Sequence, residues 1–143
     1  MTANNFHSHF GVYAAIFRNN QQELLVIKKA RGPYTGRWDL PGGSPEIDEL
    51  LEQTLVREIK EETGCSLTSC QQIGARSALF AYNEDGKQKT LRHLGALYKA
   101  EIQGEPMTTP DGEDADGCVW LNINEINTHN ATPFVLEVCN KNT

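Results

Sequence analysis

The sequence predicts a mixed β-sheet flanked by helices, and three observations lead there. Apolar, β-prone runs lie on both sides of one long stretch of helical period, and a second, shorter helical pattern closes the chain. The 143 residues amount to one domain's length, so residues 1–143 are expected to share one core. No internal repeat, low-complexity segment or interdomain linker interrupts the pattern.

The first element is Gly11 to Arg18 (GVYAAIFR), a strand by its β-prone composition. The polar cluster NNQQE turns it into Leu24 to Lys29 (LLVIKK), which predicts a hairpin. ARGPYTGRWDLPGGSP follows, with Gly32, Gly36, Gly42 and Gly43 interleaved with Pro33, Pro41 and Pro45, and must be largely loop. From about Asp48 to Thr63 the period becomes helical: Leu51, Leu55 and Ile59 form a stripe flanked by Leu50 and Val56. Its start is signalled twice, by Ser44 before Pro45 and by Asp48, and its stop once, by Gly64. Ile73 to Tyr82 and Leu91 to Ile102 are strands around the turn NEDGK, a second hairpin. After the polar loop GEPMTTPDGEDADG come a last strand, Cys118 to Ile123, and a closing helix in TPFVLEVCNK that begins near Pro133.

Composition removes several function classes. No apolar run reaches the roughly eighteen residues of a membrane span, and MTANNFHSHF lacks the basic and apolar regions of a signal peptide, so a cytoplasmic protein without a membrane partner is expected. A net charge of -6 argues against duplex nucleic acid as a partner, though not against one nucleotide held through a metal. Cys65, Cys70, Cys118 and Cys139 show neither CxxC nor zinc-type spacing and read as reduced thiols.

The stretch REIKEETG, residues 57–64, poses an electrostatic problem. On a helix Glu58, Glu61 and Glu62 lie three and four residues apart, where like charges repel, and they stand at the carboxyl end that already disfavours anions. At roughly 100° per residue, Glu62 falls between Leu51 and Leu55, with Glu58 beside it and Glu61 at the edge. The carboxylates thus continue the core face. Burying them together requires protonation or a cation. Arg57 is one positive charge beside three negative ones, so a hard divalent ion, Mg²⁺ or Mn²⁺, is the economical counter-charge; a solvated acidic face is the alternative.

Reading outward, Gly43 is followed after five residues by Glu49, after seven more by Arg57, Glu58 and Ile59, and then by Glu61, Glu62 and Gly64. This resembles the Nudix box, G-x5-E-x7-R-E-U-x-E-E-x-G-U with U a bulky aliphatic, of the Nudix (MutT-like) hydrolases. The one departure is Cys65 at the last aliphatic position, and the preceding RWDLPGG is also similar to the family's approach to its box. The resemblance implies a Nudix fold, an α/β/α sandwich, and hydrolysis of a nucleoside diphosphate linked to another group. It implies Mg²⁺ or Mn²⁺ held by the Gly43 carbonyl, Glu58 and Glu62, with Glu61 a further or water-mediated ligand. Arg57 would orient a glutamate, Glu49 would pair with Arg57, and Glu58 or a carboxylate of a later loop would be the general base. A small nucleotide-type substrate and a homodimer fit the family. The alternative to catalysis is a Nudix-like module that senses a nucleotide or sugar nucleotide without turning it over.

Other residues keep two readings. Among Asp111, Glu113, Asp114 and Asp116, Glu113 or Asp114 is the preferred later-loop carboxylate, against a solvated acidic loop. Trp38 and Trp120 are candidates for stacking a base or for filling the sheet's edge, and Asn127 and Asn130 for recognising a purine or capping a helix near Thr132. Lys28, Lys29, Arg31 and Arg37 precede the box as phosphate contacts or exposed charges. His7 and His9 form an HxH near the start, where metal binding is the less expected reading.

Overall fold

Val12 to Ile16 are all buried, and so are Leu24 to Ile27, because the strands that carry them are covered on both faces. The structure is a computed structural model that describes residues 5–107 and 115–141, with backbone alone for residues 115 and 116. Side chains alternate across each strand. Val12, Ala14, Ile16, Leu25 and Ile27 point to one core, which also holds Leu55 and Ile59 of the long helix. Tyr13, Ala15, Leu24 and Val26 point to the other, which holds Phe134, Val135 and Leu136 of the closing helix. Helix, sheet and helix therefore form three layers, the sandwich expected from the box.

The strands are β1 (Phe6–Ala15), β2 (Phe17–Arg18), β3 (Glu23–Lys29), β4 (Trp38–Asp39), β5 (Gly42–Gly43), β6 (Ser66–Glu84), β7 (Lys87–Gln103) and β8 (Ala115–Asn122). The helices are α1 (Leu51–Thr63) and α2 (Pro133–Val138), with a 3₁₀ turn at Ile123–Glu125. One sheet has the order β5-β1-β7-β6 and is mixed: β1 is parallel to β7 and antiparallel to β5. In the second, β2, β4 and β8 all run antiparallel to β3.

The expected first hairpin is only partly formed. β1 pairs with β5 and β7, and just Phe17 and Arg18 pair with β3. The chain passes between sheets at Ile16, whose carbonyl accepts the Leu25 N–H at 2.9 Å. The second hairpin is as expected but longer, since its strands reach Ser66 and Gln103; its turn uses Asp85 and Gly86 at φ 53° and 76°, the positive angles that a tight two-residue turn demands.

Neither expected start of α1 is used. The helix begins after Leu50, whose N–H donates to Gln53 Oε1 at 2.7 Å, while Glu46 to Glu49 form a separate turn closed by Glu49 N–H to the Glu46 carbonyl at 3.0 Å. Gly64 ends it in the left-handed region at φ 77°. Leu55 and Ile59 are buried, but Leu50 and Val56 are exposed and do not belong to the core stripe. All four cysteines are free thiols. No helix among the described residues is long and apolar enough to cross a membrane.

Truncating Ile59 to Ala should cost about 2–5 kcal/mol in denaturant unfolding, because it empties core under the helix that carries the carboxylates. Val56→Ala, on the exposed face, should change stability by no more than about 0.5 kcal/mol.

Candidate functional site

The carboxylates of α1 meet a backbone that has no room for side chains. Gly42 and Gly43 pair with Tyr13 and Val12 of β1. At Gly42, φ is +149° and a Cβ would lie 2.0 Å from the Val12 carbonyl oxygen; at Gly43 a Cβ would lie 2.7 Å from the Glu58 carboxyl carbon. The paired glycines thus let Glu58 and Glu62 approach the main chain.

Glu62 is 4% exposed, and its Oε1 accepts the Gly42 N–H at 2.7 Å. Burial pushes its carboxyl well above the usual range, and the neighbouring Glu58 charge adds to the shift. Glu58 is held differently: its Oε1 accepts from Arg57 Nη1 at 2.8 Å. The same guanidinium grips Glu49 with two hydrogen bonds, Nε to Oε2 at 2.7 Å and Nη2 to Oε1 at 3.0 Å, and reaches the Ser44 carbonyl at 3.1 Å. The Arg57 hydrogen bonds, then that from the Glu46 N–H, pull the Glu49 carboxyl down to about 2. Arg57 in turn is raised, first by Glu49. One cation therefore ties the loop before α1 to the helix and orients Glu58.

Gly43, Glu58 and Glu62 line a cleft of about 370 Å³ together with His9, Tyr13 and Lys29. Glu61 lies outside it, half-exposed, with Arg57 Nη1 at 3.3 Å. Among the described residues no three His, Cys, Asp or Glu side chains converge as a ready metal cage. The hard-oxygen set in the cleft is the Glu58 and Glu62 carboxylates and the Gly43 backbone, with exposed Glu46 also on its wall, 3.6 Å from Arg57 Nε. Chemically, that set suits a divalent cation with room left for water or phosphate oxygens.

A second cavity, of about 220 Å³, opens beside the first and shares His9, Tyr13 and Lys29 with it. Its wall holds a buried chain of hydrogen bonds: Tyr13 OH to His93 Nε2 at 2.7 Å and Tyr34 OH to His93 Nδ1 at 2.9 Å. Burial lowers His93 to about 3 and raises both tyrosines, so all three are neutral near pH 7. Asp39 also lines this cavity; its Oδ1 accepts from Thr132 Oγ1 at 2.8 Å and Leu40 N–H at 2.9 Å, and burial raises its carboxyl.

Tyr13, Tyr34, Asp39 and His93 escaped the sequence reading. Tyr13 reads as one more β-prone residue of its strand and His93 follows the charged Arg92, so neither stands out locally; what unites them is the β1–β7 pairing, in which His9 stands opposite His93. Of the basic candidates, Lys29 and Arg31 reach the cavities. Lys28 lies over Trp38, while Arg37 donates to the Thr128 and Ala131 carbonyls. Trp38 and Trp120 pack against the cores, Trp120 beneath Arg18. Asn127 and Asn130 tie one turn together through Asn130 Oδ1 and the Asn127 N–H at 2.9 Å, rather than capping α2. His7 and His9 diverge in partner: Tyr82 OH for His7, at 3.1 Å, and Ser44 Oγ for His9, at 3.3 Å. Asp111, Glu113, Asp114 and the Asp116 side chain lie outside the described residues.

The model of the NUDIX domain matches residues 7–138. An ADP-ribose pyrophosphatase of Methanocaldococcus jannaschii is 43% identical over 120 residues, 84% of this chain and 65% of that one. A CTP pyrophosphohydrolase of Escherichia coli is 30% identical over 114 residues, 80% and 76% of the two chains. The crystal structure of a MutT NUDIX hydrolase from Burkholderia pseudomallei superposes with a TM-score of 0.70 at 24% identity, covering 96% of this chain and 99% of that one. The chain spans between 24% and 65% of the length of the first curated relatives that it matches.

The buried imidazole has a pH signature. His93 binds its proton near pH 3 when folded, against an ordinary value near 6.5, so the unfolded chain holds more protons between those values. Its contribution to stability should be complete above about pH 6.5 and fall by up to about 1.4 kcal/mol per pH unit below it. Urea unfolding of the native protein and of His93→Gln at pH 7, 6 and 5 should show a steeper fall in the native protein.

Proposed function

This chain belongs to the Nudix family, and from that premise we propose that it is a divalent-metal-dependent diphosphohydrolase acting on a nucleoside diphosphate linked to a further group. The observation that carries the proposal is the buried Glu62 carboxylate beside Glu58, facing a glycine backbone and braced by the Arg57–Glu49 clamp. Its relatives' names point the same way, since two are a pyrophosphatase and a pyrophosphohydrolase of nucleotide compounds.

The oxygen-only donors fit Mg²⁺ or Mn²⁺ better than Zn²⁺. Glu58, Glu62 and the Gly43 carbonyl would hold the ion, and Glu61 would join from the rim after a side-chain rotation. When bound, the ion would neutralise charge on the diphosphate oxygens and make water a better nucleophile. Arg57 keeps Glu58 aimed into the cleft, and Glu49 keeps Arg57 in place. Glu58 is the candidate general base: it would take the proton of a water that attacks one phosphorus in line, while the bond to the bridging oxygen breaks and the other phosphate leaves with its substituent. Lys29, on the wall of both cavities, would meet phosphate oxygens.

Phosphate or pyrophosphate release should be measured over dinucleotides, sugar nucleotides, nucleoside triphosphates and capped RNA ends, first with Mg²⁺ and then Mn²⁺. At least one should turn over, only with metal. Glu58→Gln should lower kcat by about 10²–10⁴-fold while circular dichroism stays native. Unchanged turnover in that variant would remove Glu58 from the chemistry, and no turnover of any substrate would leave a nucleotide-sensing module as the better reading.

A further inference from the structure

We propose that Thr54 is a positioning residue of the hydrolytic site: its hydroxyl fixes the Glu49 carboxylate, through which Arg57 aims Glu58 into the cleft. This rests on the hydrolase reading of that cleft. Thr54 lies on α1 with no exposed surface. Its one hydroxyl proton has two acceptors in range, Glu49 Oε1 at 2.9 Å and the Leu50 carbonyl at 3.3 Å. A buried helical threonine ordinarily returns its proton to the carbonyl four residues back. Here that carbonyl already accepts the Thr54 N–H at 3.1 Å, while the carboxylate is both nearer and charged, so the proton goes to Glu49.

That contact completes the hold on Glu49. Its Oε1 also receives the Glu46 N–H at 2.9 Å and Arg57 Nη2 at 3.0 Å, and its Oε2 receives Arg57 Nε at 2.7 Å. Nε and Nη2 are thus engaged together, which leaves Nη1 for Glu58 at 2.8 Å. The guanidinium has rival carboxylates close by: Glu46 stands 3.6 Å from Nε, and Glu61 3.3 Å from the same Nη1 that holds Glu58. A Glu49 carboxylate free to turn about its last torsion would release the fork to them. Of the donors to Glu49, Arg57 is the group to be oriented and the Glu46 N–H belongs to the loop. Thr54 is the donor that ties the carboxylate to the buried face of α1.

Thr54→Val keeps the side chain's shape and removes the hydroxyl, whereas Thr54→Ser keeps the hydroxyl. In variants folded by their Tm, proton exchange at Arg57 Nε–H is followed by NMR without substrate or metal. It should speed up about tenfold in Thr54→Val and stay within about twofold of native in Thr54→Ser. Thr54→Ala, which also lacks the hydroxyl, should behave as Thr54→Val does. On whichever nucleotide the native protein hydrolyses, Thr54→Val should lower kcat about five- to twentyfold with KM within about twofold, and Thr54→Ser should restore it. In a Glu49→Ala background the Thr54→Val change should cost less than about twofold in kcat, because the hydroxyl acts through Glu49. A native exchange rate or a native kcat in Thr54→Val would overturn the proposal. So would an equal loss in Thr54→Ser, or in the Glu49→Ala background. Exchange at Arg57 needs no turnover, so a substrate panel without hydrolysis strikes the enzymatic reading, while the NMR comparison still decides whether Thr54 sets the clamp.

Discussion

The site depends on a carboxylate where an apolar group would ordinarily sit. Glu62 lies on the core-facing side of α1, 4% exposed, on the same helix face as Leu55 and Ile59. A lone anion in that position is costly and must take up a proton or a cation. The Gly42 N–H provides one hydrogen bond, and Lys29 a distant positive charge that lowers the carboxyl only in part. The guanidinium nearby is committed elsewhere, to Glu49, Glu58 and the Ser44 carbonyl. Among the described residues, Glu58, Glu61 and Glu62 thus gather at the end of α1, where the helix itself supplies Arg57 and Lys60.

The fold delivers that concentration by layering. From Gly11 onward β1 is covered on both faces, so its odd and even residues there serve different layers: Val12 packs toward α1, while Tyr13 turns toward Phe134 and His93. β5 hydrogen-bonds to β1 alongside both residues, which brings the glycine pair to the carboxylate cleft, while His9 and Tyr13 of β1 line that cleft and the aromatic cavity alike. The acidic cleft and the aromatic cavity are neighbours because one strand supplies a wall to each.

Much of this was legible in the sequence where the relevant contacts are local. The stripe Leu55 and Ile59 placed α1, Gly64 ended it, Asp85-Gly86 turned the second hairpin and Pro133 opened the closing helix. The azimuth of Glu62 against Leu51 and Leu55 foretold its burial, since helix geometry is fixed within a few residues. What depended on distant pairing was not legible. β1 looked like half of a hairpin with β3, yet its partners are β5 and β7, and the register of β1 with β7 is what places His93 against Tyr13. The start of α1 was misread for a related reason: Ser44 and Asp48 are good caps in isolation, but Glu49 is held by Arg57 and by the Glu46 N–H, and that turn delays the helix to Leu51.

The central claim is that the charge at the end of α1 is unbalanced until a divalent cation answers it. Thermal unfolding of the native protein and of Glu58→Gln/Glu62→Gln, each with and without Mg²⁺, tests this directly and needs no substrate. Saturating Mg²⁺ should raise the native Tm by several degrees, with a gain of about 2.7 kcal/mol when the ion is at a hundred times its Kd. The double variant should gain little, and without metal it should be at least as stable as the native protein. An equal gain in both proteins, or none in the native one, would contradict the account.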